Sequence, residues 1–280
     1  MSKGVAVITG ASSGFGMLTS MELAKRGFHV VATMRNEAKA LPLQKQAATL
    51  NIQEKIEVFQ LDVTDKTSIR SLERRLNEIG RVDVLLNNAG YAAGGFVEEV
   101  PIDAYRQQFE TNVFGAISVT KTVLPIMRKQ GSGTIINMSS ISGRMGFPGL
   151  SPYAASKHAL EGWSESLRLE VQPFGIHVVL VEPGSYKTNI WSTGKQIAKA
   201  SLDADSPYHT YMTNIEAYLD REQDTYGDPN EVAKKLADIA EQNNPRFRHP
   251  IGKGVKFSLT LKSLLSWERW ERLILQRLNK

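Results

Sequence analysis

Tyr153 and Lys157 stand four residues apart, directly after Ser151-Pro152. The Ser-Pro pair reads as a helix start, with Ser151 at the N-cap and Pro152 at the first helical position. A spacing of four then puts the phenol and the ammonium on one face of the first turns. A free phenol titrates near about 10 and is a poor base at neutral pH. A cation one turn away lowers the cost of the phenolate. The pairing therefore predicts a tyrosine that exchanges a proton with an alcohol or carbonyl oxygen near neutrality. Ser140 closes the apolar run Thr134–Met138 and is placed to donate a hydrogen bond to the same oxygen. Asn112 falls inside a long helical pattern, where its amide needs a backbone or water partner. Taken singly these residues are ordinary. A Tyr-x-x-x-Lys pair is usually a solvated helix face, and a lone Asn is usually a structural hydrogen bonder.

Their order along the chain changes the weight. The first apolar run ends in Thr9-Gly10-Ala11-Ser12-Ser13-Gly14-Phe15-Gly16, and a helical pattern follows. Gly10 permits a tight turn, Gly14 lets backbone approach a pyrophosphate, and Gly16 allows close packing of helix on strand. The loop Ser12, Ser13, Gly14, Phe15 then offers free N–H groups at the positive end of a helix. The second run ends at Thr33-Met34-Arg35-Asn36. An acidic side chain there would bind the adenosine ribose of NAD. Arg35 stands there instead, and a guanidinium pairs with a 2′-phosphate, which favours NADP(H) over NAD(H).

The elements that must position these groups are legible as an alternation. Val5–Thr9, His29–Met34, Ile56–Leu61, Val82–Asn87, Thr134–Met138 and His177–Val181 are short and nearly continuously apolar. Such runs suit strands buried on both faces. Helical patterns lie between them at Met17–Arg26, Ser68–Ile79, Ala104–Lys129 and Pro152–Val171. The alternation predicts an α/β fold, a doubly wound parallel sheet (Rossmann fold) with helices on both faces. It reads as one catalytic domain over residues 1–280. Residues 189–227 break the pattern, being polar and rich in aromatics, and are expected to form a substrate lid. Asp228-Pro229-Asn230-Glu231 restarts a helix as a capping box.

Taken together, these motifs resemble those of the short-chain dehydrogenase/reductases in their single-domain form. The matches are Thr9-Gly10-x-x-x-Gly14-x-Gly16, Asp62, Asn87-Asn88-Ala89-Gly90, Asn112, Ser140, Tyr153-x-x-x-Lys157 and Pro183-Gly184-x-x-x-Thr188, in that order. Ala32-Thr33-Met34-Arg35 and Pro245-Arg246-Phe247-Arg248 followed by Gly252 look like the hydroxysteroid/retinol dehydrogenase branch. The resemblance implies that Asp62 and Val63 bracket the adenine. It implies that Asn88, Ala89 and Gly90 line the cofactor and that Pro183, Gly184 and Thr188 hold the carboxamide of the nicotinamide. Tyr153 would be the acid/base, and Lys157 would also bind the nicotinamide ribose. Ser140 would orient the substrate oxygen, and Asn112 would hold a water in a proton relay. The implied reaction is hydride transfer between NADP(H) and a carbonyl or secondary alcohol, by a homodimer or homotetramer. The alternative on the same fold is a non-catalytic NADP(H) sensor.

Composition narrows the classes. The chain has no Cys, which removes disulfides, thiolate zinc sites and a thiol nucleophile. The five His (29, 158, 177, 209, 249) show no metal-ligand spacing. No signal peptide and no apolar run of about 20 residues is present, so a cytoplasmic location is expected. The net charge of +5 resides in residues 250–280, which hold seven Lys or Arg against two Glu, while the other 249 residues balance. No nucleic-acid module is recognisable. Leu261, Leu264, Leu265, Trp267, Trp270, Leu273, Ile274 and Leu278 recur at helical spacing in this tail. The preferred reading is a helix packed on its own domain or a neighbouring subunit, with membrane-surface contact as the alternative. An apolar or aromatic substrate is expected, walled by Phe147, Leu150, Trp191, Tyr208, Tyr211 and Tyr218. The sequon Asn137-Met138-Ser139 is discounted because it falls in a predicted buried strand.

Overall fold

The computed structural model describes residues 2–188 and 194–278. Seven parallel strands form the central sheet: β1 (Val5–Ile8), β2 (His29–Met34), β3 (Ile56–Gln60), β4 (Val84–Asn87), β6 (Gly133–Met138), β7 (Ile176–Pro183) and β9 (Arg248–Ile251). Their order is β3-β2-β1-β4-β6-β7-β9. The six strands read from apolar runs all form, within two or three residues at each end. They form because their side chains are buried above and below the sheet, in two separate apolar layers. Helices α1 (Gly14–Lys25) and α8 (Pro229–Ala240) pack together on one face, while α3 (Lys66–Ile79) and α5 (Gly115–Gln130) pack together on the other. Strand order reverses between β1 and β4, and such a switch point opens a crevice at the carboxyl ends of the strands.

Four elements depart from the sequence reading. β9 forms the far edge of the sheet beside β7, although Arg248-His249-Pro250-Ile251 is too polar to read as a strand. A second sheet pairs β5 (Ala92–Gly94) with β8 (Lys195–Ile197), a short half-exposed strand inside the polar segment 189–227, where no buried strand is expected. The helix expected over 104–129 is α4 (Ile102–Phe109), a π-turn at Glu110–Phe114, then α5. The tail is two helices, α9 (Val255–Leu264) and α10 (Trp267–Leu278), rather than one.

Helix α6 (Ser151–Val171) carries Tyr153 and Lys157. Its cap is Leu150, not Ser151. The Ser151 hydroxyl instead hydrogen-bonds the Tyr105 hydroxyl at 2.5 Å, tying α6 to α4. Asp228 does cap α8, accepting from the Asn230 N–H at 2.9 Å. The segment 189–227 contains α7 (His209–Glu222).

Candidate active site

A cleft of about 1030 Å³ opens at the switch point. Its walls include Gly10, Ser12, Ser13, Gly14, Phe15, Arg35, Asp62, Val63, Asn88, Ala89, Gly90 and Thr188. A smaller cavity shares Phe15, Asn88, Gly90 and Thr188 with it and adds Ser140, Tyr153, Lys157, Pro183 and Gly184. All but two of the site residues read from the sequence therefore line one continuous space. Gly16 and Asn112 do not line it, and each supports it from behind.

The glycine loop fits a pyrophosphate. Gly10 and Gly14 have φ of +68° and +54°, conformations that favour glycine. A Cβ on Gly16 would sit 2.4 Å from the Gly10 carbonyl oxygen, so helix and loop touch there. Ser13, at the N-cap of α1, makes no side-chain cap bond, which leaves first-turn N–H groups open toward the cleft. Asn88 fixes the loop from the end of β4. Its amide donates to the Thr9 and Gly10 carbonyls at 2.9 and 3.2 Å. The Thr9 hydroxyl accepts from the Asn88 and Ala89 N–H groups, both at 2.9 Å. At the far end of the cleft, Arg35 is exposed and makes no ion pair among the described residues. Lys39 lines the same wall, a second cation that sequence reasoning missed. Asp62 is held by Thr64, whose N–H and hydroxyl both donate to its carboxylate, at 2.9 and 2.7 Å.

At the inner end, the Ser140 hydroxyl and the Tyr153 phenol are hydrogen-bonded to each other. Ser140 also accepts from the Ser142 N–H at 3.1 Å, which orients it at the mouth of β6. Lys157 Nζ lies 5.7 Å from the centre of the Tyr153 ring. It donates to the Met138 carbonyl at 2.6 Å. Both side chains are buried. Burial pushes the phenol up to about 12, and the bond from Ser140 offsets this only in part. Burial likewise pulls the Lys157 ammonium down to about 8, against the opposing pull of Glu161. The expectation that Lys157 brings the phenol near neutrality is thus not met by the protein alone. Burial is the main cause at both groups, and the ammonium is aimed at the Met138 carbonyl.

Asn112 sits in the π-turn and clasps the backbone of Tyr91. Its amide donates to the Tyr91 carbonyl at 3.1 Å and to the Ser156 hydroxyl at 3.3 Å, and its oxygen accepts from the Tyr91 N–H at 3.2 Å. These contacts supply the partner its amide needs and explain a turn that a regular helix would not contain. A Cβ on Gly90 would meet the Asn112 oxygen at 3.0 Å, so Gly90 lets this clasp close. Behind it runs a buried ladder. Asn87 donates to Thr120 and Asn137 at 2.9 and 2.8 Å, and Asn137 donates to Ser164 at 2.8 Å. Asn137 is fully buried, in accord with setting the sequon aside.

The aromatics expected to wall the substrate pocket pack elsewhere. Tyr208 stacks on Phe96 with centroids 4.3 Å apart, and Tyr211 tilts against the same ring at 5.4 Å. Neither lines the two cavities, and nor do Phe147, Leu150 and Tyr218. The apolar walls are instead Phe15, Tyr91, Met138 and Tyr186. Trp191 lies outside the described residues. Tyr186 was not singled out from the sequence. It is buried edge-on to Phe15 at 5.7 Å, within the Pro183–Thr188 motif that could have flagged it.

Comparison with known proteins agrees with this geometry. The short chain dehydrogenase family matches residues 4–197. The chain is 51% identical over 279 residues to the uncharacterized oxidoreductase YusZ of Bacillus subtilis (strain 168), covering 99% of both chains. It is 36% identical over 249 residues to a 3-ketodihydrosphingosine reductase of Bacteroides thetaiotaomicron, covering 89% of this chain and 87% of that one. Among solved structures, ElxO with NADP bound superposes with a TM-score of 0.75 at 28% identity, covering 92% of this chain and 100% of that one. A Burkholderia phymatum member in complex with NAD gives 0.78 at 25% identity, covering 94% and 93%. Glycine loop, Ser-Tyr-Lys constellation and sheet order, together with these matches, make the chain a member of the short-chain dehydrogenase/reductase family, an oxidoreductase acting on CH–OH and C=O groups.

Proposed function

We propose that the protein is an NADP(H)-dependent carbonyl reductase acting on an apolar ketone or aldehyde, with the reverse oxidation of the secondary alcohol. The observation that carries this is the Ser140–Tyr153 hydrogen bond, set at the inner end of a cleft whose outer end presents helix N–H groups. The dinucleotide, when bound, supplies or accepts the hydride. Its pyrophosphate would rest on the loop Ser12–Gly16. Pro183, Gly184 and Thr188 would hold its carboxamide, and Lys157 its nicotinamide ribose. Asp62 and Val63 would flank the adenine.

Ser140 holds the substrate oxygen, and Tyr153 gives it a proton as the carbonyl is reduced. A phenol raised to about 12 is fully protonated at neutral pH, which suits it to the acid role. Asn112 keeps its place in the proton relay as a proposal, with Tyr91 already engaging its oxygen. Arg35 and Lys39 on the cleft wall favour the 2′-phosphate of NADP(H), in a family whose solved structures hold either dinucleotide. Phe15, Tyr91, Met138 and Tyr186 favour an apolar substrate, steroid-like, retinoid-like or long-chained. The 3-ketodihydrosphingosine reductase among its relatives supports the long-chain form. Residues 189–227 are read as the lid over that substrate, of which 189–193 lie outside the described residues. The protein is read as cytoplasmic and as a homodimer or homotetramer, as is usual in its family. The test is NADPH oxidation against ketones and aldehydes of graded chain length. Turnover that rises with apolar length supports the reading, and equal turnover of short and long carbonyls rejects the apolar pocket.

A further inference from the structure

The C-terminal helices leave an apolar face uncovered. Trp270 and Leu278 are buried, and α10 packs on α7, so part of the tail does fold onto its own chain. The rest does not. Phe257, Leu264 and Trp267 are 68%, 78% and 61% exposed. Phe257 and Leu264 are seven residues apart on α9 and share one side of it. Lys253 and Lys256 stand just before Phe257 and are exposed. Aromatic and aliphatic side chains next to lysines suit an interface that is oily within and negative at its surface. The charge distribution points the same way, because the net +5 of the chain resides in residues 250–280.

Helix α9 is also fixed to the site. Val255 at its first turn packs so close to Gly184 that a Cβ there would lie 2.6 Å away. Lys262 on its last turn donates to the Arg144 carbonyl, just beyond the Ser140 loop. The exposed face is therefore held rigidly beside the inner cavity.

We propose that Lys253, Lys256, Phe257, Leu264 and Trp267 form a docking surface for an anionic lipid bilayer. No helix among the described residues is long and apolar enough to cross a membrane, so the contact is peripheral. Two faces of the site, Gly184 and Arg144, would then be held against the lipid through α9.

The test uses the full chain and needs no turnover. Wild type and the Phe257→Ala/Leu264→Ala/Trp267→Ala variant are sedimented with vesicles of equal parts phosphatidylglycerol and phosphatidylcholine, and with phosphatidylcholine alone. The altered side chains are exposed, so the fold is expected to survive, and circular dichroism with NADPH binding checks this. Wild type should sediment with the anionic vesicles, bind the neutral ones at least about tenfold more weakly, and be released as salt rises. The triple variant should bind the anionic vesicles at least about tenfold more weakly than wild type. Wild type left in the supernatant overturns the proposal, as does a folded triple variant that sediments like wild type. A variant that loses self-association in lipid-free ultracentrifugation while lipid binding is unchanged gives the face to a second copy instead, and also overturns it.

Discussion

The Lys157 ammonium, four residues past the buried phenol of Tyr153, donates to the Met138 carbonyl at the end of β6 at 2.6 Å. A buried ammonium on a neutral acceptor is destabilising, and proteins keep such groups where function needs them. Burial pulls this ammonium from 10.5 down to about 8. The folded protein binds this proton less tightly than the unfolded chain, so wild-type stability rises with pH between about 8 and 10.5. Lys157→Met should then be more stable than wild type near neutral pH, by on the order of 1–3 kcal/mol, the lost bond to Met138 offsetting part of the gain. The advantage should be complete below the folded value and vanish above the unfolded one. Urea unfolding at neutral and alkaline pH checks this. Carbonyl reduction should fall at least about a hundredfold in the same variant.

Arg248 on the edge strand β9 pairs with Glu161 of α6 and, at 2.7 Å, with Glu182 of β7. Both carboxylates are buried, and burial is the main cause of the raised value at Glu161. Arg248→Met would leave two carboxylates without their shared cation, apart from the Arg144 contact to Glu182 at 3.3 Å. The expected loss is about 3–5 kcal/mol near neutral pH. The loss should shrink as pH falls, because protonation of Glu161, whose value burial raises, then removes one of the unpaired charges. Thermal melts at several pH values measure it.

Gly16 touches the Gly10 carbonyl and the Asn88 amide. Gly16→Ala forces a Cβ against backbone, which costs about 1–3 kcal/mol and moves the loop. NADPH affinity should drop at least about tenfold, while a Gly162→Ala control, with nothing within 4 Å and an ordinary helical backbone, should leave it unchanged. Fluorescence titration with NADPH reads both.

Arg35 and Lys39 are the cations at the ribose end of the cleft. Arg35→Ser/Lys39→Ser should weaken NADPH by about 2–4 kcal/mol and leave NADH within a few-fold, since each charge-assisted bond to phosphate contributes about 1.5–3 kcal/mol. Equal losses for both dinucleotides would assign the two cations to something other than the 2′-phosphate.

Much of the positioning was legible because it depends on local constraints. Six strands announced themselves as apolar runs, and Gly10, Gly14 and Gly16 as a loop that needs glycine, for left-handed backbone at Gly10 and Gly14 and for close contact at Gly16. β9 was hidden because an edge strand carries few apolar residues, and Arg248 is there for two carboxylates far away in sequence. The π-turn at Asn112 was hidden because its cause is the backbone of Tyr91, 21 residues upstream. The break between α9 and α10 depends on which tail residues find a partner, and sequence periodicity does not tell Trp270 from Trp267. The raised phenol of Tyr153 followed from burial, which the spacing to Lys157 did not reveal.

The most direct test of the central claim compares Tyr153→Phe with wild type in the same two assays. The phenyl ring keeps the packing and removes the proton donor. The account predicts that NADPH binding stays within a few-fold of wild type while carbonyl reduction falls at least about a hundredfold. A Tyr153→Phe enzyme that reduces carbonyls at the wild-type rate, or a wild-type protein that binds neither dinucleotide, would contradict it.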